Sequence, residues 1–136
     1  TLGITPIVAH PERYRFIHQD VSLLDMWLER GFIIQLDAGS ILGGFGKQTQ
    51  QIATKILESN YVHLIGSDAH NSKKRNFCIS DAYKYLNNKY VSNGVSQLKK
   101  NAESILKGNN NVECVNFKRI KKSIRISDKV LKLLGL

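Results

Sequence analysis

Three short apolar runs alternate with amphipathic segments, and this alternation is the feature that most limits the fold. The runs cover residues 7–9 (IVA), 32–36 (FIIQL) and 61–65 (YVHLI), so that successive starts lie 25 and 29 residues apart. Runs of this composition are typical of β-strands, and the intervals are long enough to hold a helix that connects parallel strands. The pattern therefore predicts an α/β fold in which parallel strands alternate with helices, as in a sheet or barrel.

The segments between these runs have the periodicity of amphipathic helices. Within residues 21–30, the predicted inward face holds Leu23, Leu24, Trp27 and Leu28, and Gly31 is a candidate C-cap. Within residues 48–59, the predicted inward face holds Ile52, Ala53, Ile56 and Leu57. A third helix is expected to begin with Ser80 as its N-cap, with Ala82, Tyr83 and Leu86 facing inward, and a fourth is expected over residues 95–106.

The segment GNNN at 108–111 predicts a turn, since glycine and asparagine tolerate left-handed backbone conformations. We therefore expect one domain over residues 1–112 and a basic tail over residues 113–136 that is helical in part. Between Lys118 and Lys132 the tail has seven Lys or Arg and one Asp, with apolar residues between them. Such a tail is either a solvated basic helix packed on the domain or a surface for an acidic partner or membrane.

Composition limits the class of protein. A chain of 136 residues with 42% hydrophobic content can bury a sizeable single core. No apolar run approaches the roughly 20 residues that span a bilayer, and no signal peptide is recognisable, so we expect a cytoplasmic protein. The net charge of +9 favours anionic ligands in general. Cys78 and Cys114 form no CxxC pair, so neither a disulfide framework nor a thiolate zinc site is indicated.

Polar residues of metal-binding type follow the predicted strands. His10 follows the first run, Asp68 and His70 follow the third, and Asp37 ends the second. Parallel strands end at one face of a sheet or barrel, and residues two apart in extended backbone point to the same side. A DxH pair alone is also compatible with a surface turn. Together with His10, the carboxylate and imidazole donors predict a site for manganese, iron or zinc.

Arg13 and Arg75 lie three to seven residues beyond these candidate ligands. Exposed arginines are usually only solvated, but a guanidinium can bind two phosphate oxygens at once, so we interpret both as candidate phosphate ligands. Neither cysteine has an arginine six positions later, so any phosphatase chemistry would need a metal. We interpret His18 and His63 as structural.

The glycine-rich stretch GGFG at 43–46 matches neither the dinucleotide-binding pattern nor the P-loop. As a nucleotide-binding signal it is therefore weak. We expect a flexible loop that lines a pocket.

Four stretches carry a family resemblance: TPIVAHPERY (5–14), QLDAGSILGGFG (35–46), HLIGSDAHNSKKR (63–75) and NAESILKGNNNV (101–112). They resemble bacterial manganese-dependent protein-tyrosine phosphatases of the capsular-polysaccharide (CpsB/CapC) type, within the PHP class. The resemblance covers roughly residues 3–112. It implies a partial PHP-type distorted (β/α) barrel and a trinuclear metal site at the carboxyl ends of the strands.

Carried over to this chain, the resemblance implies that His10, Asp68 and His70 bind metal and that Arg13 and Arg75 bind phosphate. Manganese is the implied cofactor, with iron or zinc as alternatives. The family's first motif, an HxH followed by paired aspartates, and its glutamate ligand have no counterpart here, so the chain resembles the C-terminal half of the domain. The role of Asp37, where the family often has asparagine, stays open.

The implied activity is hydrolysis of phosphotyrosine on a protein, namely a tyrosine kinase that regulates capsular or exopolysaccharide synthesis. With half of the site, the isolated chain is expected to be weak or inactive. The alternatives are a truncated non-catalytic remnant or binding protein, and a PHP-type small-molecule phosphoesterase. Neither nucleic acid nor stable membrane insertion is expected. Apolar surface left by an incomplete core would favour homo-oligomers or association with a partner.

Overall fold

The computed structural model describes residues 3–71, 77–91 and 93–120, and these ranges contain a three-stranded parallel sheet. Its strands are β1 (Ile7–Ala9), β2 (Ile33–Asp37) and β3 (Leu64–Gly66), in the spatial order β1-β2-β3. Ile7 pairs with Ile33, and Gln35 pairs with Leu64. Helical segments separate the strands along the chain, which confirms the predicted α/β class of parallel strands alternating with helices.

Within the described ranges, six α-helices accompany the sheet: α1 (Arg15–Gln19), α2 (Asp25–Glu29), α3 (Ala38–Leu42), α4 (Lys47–Glu58), α5 (Ile79–Lys89) and α6 (Gly94–Leu106). Two 3₁₀ turns, Pro11–Arg13 and Val21–Leu24, lie between β1 and α2. None of the helices in the described part of the chain has the length and apolar character needed to cross a membrane.

The segment predicted as one helix over 21–30 divides into a 3₁₀ turn followed by α2. Asp20 caps this turn by accepting a hydrogen bond from Ser22 N at 2.9 Å. A 3₁₀ turn has three residues per turn instead of 3.6, which changes the direction of its side chains. Leu24 is therefore fully buried while Leu23 stays 43% exposed, and the predicted inward face was wrong at Leu23.

The prediction for α4 is confirmed, since Ile52, Ala53, Ile56 and Leu57 are all buried. They join the core cluster that also contains the β2 side chains Ile34 and Leu36. Burying each large apolar side chain of this kind contributes about 1.5 to 3 kcal/mol. The core thus lies between α4 and the sheet, and it fixes the position of β2.

Helix α5 begins before Ser80, so the predicted N-cap was wrong. The backbone N of Ala82 already donates to Cys78 O at 3.0 Å, which places Ser80 inside the first turn. Ala82 and Leu86 are buried as predicted, and Tyr83 is half-buried.

Beyond α6 the chain returns to the sheet and packs against it. The backbone N of Val115 donates to Val62 O at 2.7 Å, and Arg119 forms an antiparallel bridge with Tyr90. Val115 and Phe117 are buried in the core. The first eight residues of the predicted tail therefore pack on the domain, whereas residues 121–136, with most of its basic side chains, lie outside the described residues.

Candidate functional site

The carboxyl ends of the three strands bring polar residues to one edge of the sheet. His10 directly follows β1, and its backbone N donates to Gln35 O at 2.8 Å. Asp37 is the last residue of β2, and Asp68 lies two residues beyond β3. We refer to His10, Glu12, Arg13, Asp37 and Asp68 as the strand-end cluster. Its location follows from the parallel strand order.

Arg13 connects the ends of β2 and β3. Its Nη2 lies 2.7 Å from Asp68 Oδ2, and its Nη1 lies 3.4 Å from Asp37 Oδ2. The Asp37 side chain is 1% exposed, while the side chains of Arg13 and Asp68 are each 23% exposed. Charge-assisted hydrogen bonds in such a partly desolvated position are stronger than surface ion pairs. The guanidinium is therefore held at the opening of the cluster.

Asp37 has a second role, which the sequence did not reveal. As the N-cap of α3, its Oδ1 accepts hydrogen bonds from Gly39 N at 2.6 Å and from Ser40 N at 3.4 Å. Its other oxygen faces Arg13. One carboxylate thus fixes both the start of α3 and one side of the guanidinium.

Glu12 is a buried acid that sequence reasoning missed. The residue is fully buried, and its Oε1 accepts a hydrogen bond from Asp37 N at 3.1 Å. Among the described residues, Oε2 has no hydrogen-bond partner. Burial raises the pKa of the Glu12 carboxyl from 4.5 to about 7. Ser40 lies close enough to lower this pKa, although its hydroxyl makes no hydrogen bond of ordinary geometry to any residue that the structure describes.

The backbone of the strand-end cluster is strained at two positions. His10 has φ 43° and Asp68 has φ 44°, in the left-handed region. For residues other than glycine this conformation costs on the order of 1 to 3 kcal/mol, and such residues concentrate at functional sites. The buried His10 Nδ1 has no hydrogen-bond partner among the described residues. Its ring lies edge-on to Tyr14, at 6.1 Å between centroids.

His70 lies on the open side of the cluster. Its Nδ1 is 2.6 Å from Asp68 O and 3.8 Å from Asp68 Oδ1, and its side chain is 54% exposed. Among the described residues, no three His, Cys, Asp or Glu side chains lie close enough together to hold a metal ion. The orphaned nitrogen of His10 and the donors of Asp68 and His70 therefore fit a metal as contributors, but they do not form a complete site. Arg75 lies outside the described residues.

The other two histidines stabilise backbone structure. His18 Nε2 lies 2.6 Å from Glu12 O, next to the turn that carries Arg13. His63 is 7% exposed, and its Nδ1 accepts a hydrogen bond from Ile34 N at 3.0 Å. These contacts account for both side chains without a ligand.

Comparisons with known proteins identify relatives of this chain. The family model described as "Capsular polysaccharide synthesis, CpsB/CapC" matches residues 1–107. The tyrosine-protein phosphatase YwqE of Bacillus subtilis is 40% identical over 105 residues, which are 77% of this chain and 41% of that protein. The tyrosine-protein phosphatase CpsB of Streptococcus agalactiae is 34% identical over 112 residues, which are 78% of this chain and 46% of that protein.

A solved structure agrees with these matches. It comes from the crystal structures of YwqE from Bacillus subtilis and CpsB from Streptococcus pneumoniae, described as unique metal-dependent tyrosine phosphatases. The TM-score is 0.77 at 36% sequence identity, covering 88% of this chain and 48% of that chain. The chain thus spans about half the length of the relatives it matches.

Proposed function

The chain belongs to the capsular polysaccharide synthesis CpsB/CapC family, and on that premise we propose that it supplies half of a metal-dependent protein-tyrosine phosphatase. The observation that carries the proposal is Arg13, which Asp37 and Asp68 hold at the edge where the parallel strands end. A cation held in this way is a preorganised site for a phosphoryl group.

Arg13 is the phosphate ligand in this proposal. Its guanidinium can donate two parallel hydrogen bonds to phosphate oxygens, which lysine cannot do. Asp37 restrains the Nη1 side, and Glu12 in turn accepts a hydrogen bond from the Asp37 backbone. These contacts limit the rotamers of Arg13 before substrate arrives, so that less entropy is lost on binding. Arg75 is the second proposed phosphate ligand, on the basis of its place in the sequence.

His10, Asp68 and His70 are the proposed metal ligands. Manganese is the proposed metal, and iron and zinc are chemically compatible with the same carboxylate and imidazole donors. When bound, metal ions of this kind lower the pKa of a coordinated water and polarise phosphoryl oxygens. Since the described residues do not complete such a site, the proposal requires further ligands from beyond these residues.

The proposed substrate is phosphotyrosine on a protein, and the proposed partner is a cytoplasmic tyrosine kinase that regulates capsular or exopolysaccharide synthesis. The names of the relatives as tyrosine-protein phosphatases support this substrate class. A non-catalytic remnant is the second candidate, and the lack of a three-ligand group among the described residues favours it.

A complementation assay tests the proposal. The purified chain is incubated in excess Mn²⁺ with a phosphotyrosine peptide, alone and together with the part of the Bacillus subtilis relative that this chain does not match. We expect turnover only in the mixture, and none when His10→Ala replaces the wild-type chain. Strong turnover by the chain alone would contradict the half-site argument. No turnover in the mixture would favour the remnant.

A further inference from the structure

We propose that Phe45 is an aromatic platform that favours aryl phosphates over alkyl phosphates at Arg13. This inference rests on the proposed function, because it requires Arg13 to bind the phosphate. To the residues of the proposed function, this inference adds Phe45 as a residue that determines the substrate class.

The loop after α3 returns Phe45 to the strand-end cluster. Gly43 has φ 87° and Gly46 has φ 91°, conformations that favour glycine. The backbone N of Gly44 donates to Gly39 O at 2.8 Å, which folds the loop back over the start of α3. A Cβ added to Gly39 would lie 3.0 Å from Phe45 Cε2, so the phenyl ring packs closely against this glycine. The position of the ring is therefore set by backbone geometry.

The Phe45 ring lies beside the proposed phosphate ligand. The Arg13 guanidinium carbon is 4.9 Å from the centroid of the ring, within the range of a cation–π contact. Asp37 and Asp68 hold the same guanidinium through its Nη atoms. The cation is thus bounded by two carboxylates and an aromatic ring.

Phe45 remains 37% exposed, although it is a large apolar side chain. The buried hydrophobic core of the described residues does not include it. Its ring packs against Gly39 and lies beside the Arg13 guanidinium. Both the Phe45 ring and the Arg13 side chain beside it are partly exposed to solvent.

The position of the Phe45 ring beside Arg13 gives a physical reason why aryl phosphates would bind more tightly than alkyl phosphates. In an aryl phosphate one oxygen joins the ring to phosphorus, so a phosphate on Arg13 holds its own ring near Phe45. Aromatic pairs are favourable at about 4.5 to 7 Å between centroids, and each can strengthen binding by roughly 2- to 10-fold beyond simple burial. An alkyl phosphate has no ring for this contact. Phosphotyrosine is an aryl phosphate, whereas phosphoserine and most sugar phosphates are alkyl phosphates.

Isothermal titration calorimetry with the full 136-residue chain in excess Mn²⁺ tests this inference. The probes are phenyl phosphate and ethyl phosphate, and the variants are Phe45→Leu, Phe45→Tyr and Phe16→Leu. Phe16, on α1, is a matched control because it is 45% exposed and its ring contacts Tyr14 and, on α2, Trp27. We expect Phe45→Leu to weaken phenyl phosphate binding roughly 2- to 10-fold more than it weakens ethyl phosphate binding. Phe45→Tyr should restore the preference for phenyl phosphate, and Phe16→Leu should behave as wild type.

Two other outcomes would overturn the inference in distinguishable ways. If wild type binds both probes and Phe45→Leu weakens both equally or neither, the platform is refuted while phosphate binding stands. An equal loss of phenyl phosphate binding in Phe16→Leu would have the same meaning. If wild type binds neither probe, phosphate binding by this chain fails, and the inference fails with it.

Discussion

Two regions of polar contacts in the described part of the chain differ in how their buried groups are hydrogen-bonded. One is the strand-end cluster. The other, which we call the His63 hub, consists of His63, Asn101, Glu113 and Cys114, where the chain after α6 returns to β3. Buried polar groups in folded proteins are nearly always hydrogen-bonded, so exceptions need a reason.

In the His63 hub, the side chain of Asn101 is fully used. Its Nδ2 donates to His63 O and to Glu113 O, each at 2.8 Å. Its Oδ1 accepts a hydrogen bond from Gln97 Nε2 at 3.0 Å. One buried amide therefore joins α6, the segment that enters β3 and the segment that follows α6.

The tautomer of His63 follows from its contacts. Because Nδ1 accepts a hydrogen bond from Ile34 N, the single proton of the neutral ring must be on Nε2, which lies 3.2 Å from Cys114 Sγ. A protonated Nε2 cannot accept the proton of the Cys114 thiol. The pair is therefore structural, even though a cysteine beside a histidine is also the arrangement of a nucleophile and its base.

The strand-end cluster has the opposite character. His10 Nδ1 and Glu12 Oε2 are buried without partners among the described residues, as is Oγ of the neighbouring Ser40. His10 and Asp68 also have strained backbone conformations. Unsatisfied and strained groups cost free energy, and such groups concentrate at functional sites. The comparison shows that the hub contributes stability, whereas the cluster has the features expected of the proposed binding site.

The largest expected effect is a loss of stability at the hub. Asn101→Ala removes the donor to the buried carbonyl of His63 and to the partly buried carbonyl of Glu113, and an unsatisfied buried group costs about 1 to 3 kcal/mol. We expect the free energy of unfolding in urea to fall by about 2 to 4 kcal/mol. Asn88→Ala, at an exposed position of α5, is the control and should change stability little. If Asn101→Ala and Asn88→Ala lowered the free energy of unfolding equally, the hub would contribute no more to stability than an exposed position.

The second effect should appear at the cluster, in binding and not in stability. Arg13→Lys keeps the charge but loses the planar fork, at a cost of about 2 kcal/mol of phosphoryl stabilisation, or roughly 30-fold in affinity or turnover. The free energy of unfolding should change by less than about 1 kcal/mol. Arg15→Lys, at an exposed position of α1, is the matched control. If Arg13→Lys greatly lowered the free energy of unfolding and left phosphate binding unchanged, Arg13 would have a structural role, and the contrast between the cluster and the hub would be wrong.

A third, smaller effect should depend on pH. Burial lowers the pKa of His63 below its ordinary value of 6.5, so the unfolded chain binds a proton that the folded chain does not. The contribution of His63 to stability is complete above about pH 6.5 and is lost as pH falls from there toward the lowered pKa. The slope for one proton is at most about 1.4 kcal/mol per pH unit.

Urea titrations between pH 8 and 5 measure this dependence. His63→Asn keeps an acceptor for Ile34 N but cannot titrate, so the stability of wild type relative to this variant should fall as the pH falls. The Glu12 carboxyl, whose pKa burial raises to about 7, contributes to both proteins and cancels in this difference. Cys114→Ala retains His63 and should keep the wild-type slope. An unchanged slope in His63→Asn would show that other groups control the acid sensitivity.

The smallest effect is expected at Cys114. Cys114→Ala loses only a weak N–H to sulfur contact, and we expect stability to change by less than about 1 kcal/mol. Burial also raises the pKa of the Cys114 thiol, so little thiolate is present at neutral pH. Alkylation by iodoacetamide, followed by peptide mass spectrometry, should be slower at Cys114 than for free glutathione. Faster alkylation would indicate an activated thiol and would contradict the tautomer assigned to His63.

Sequence patterns predicted much of this architecture, and the failures have physical causes. The buried face of α4 was predicted in full, because an apolar stripe of 3.6-residue period has one way to face a core. Leu23 was misplaced, because periodicity does not distinguish a 3₁₀ turn from an α-helix. Ser80 was misassigned as a cap, because a favourable capping residue can also lie inside the first turn.

The candidate site was predictable to the extent that it depends on strand order. His10, Asp68 and Arg13 could be placed at one edge, because parallel strands that end in polar residues must bring them there. Glu12, Asp37 and Phe45 acquired their contacts only through folding. No local signal in the sequence shows that Glu12 will be buried or that Asp37 will contact both α3 and Arg13. Likewise, none shows that Phe45 will lie beside Arg13.

The sequence by itself determined the alternation of strands and helices, the apolar faces that form the core, and the motifs of the CpsB/CapC family. These properties are local or repeat along the chain, so they can be read without knowledge of distant contacts. Only the tertiary structure decided that Arg13 lies between Asp37 and Asp68, 24 and 55 residues away in sequence. It also decided which buried polar groups find partners, because hydrogen bonding and desolvation depend on neighbours that chain order does not specify.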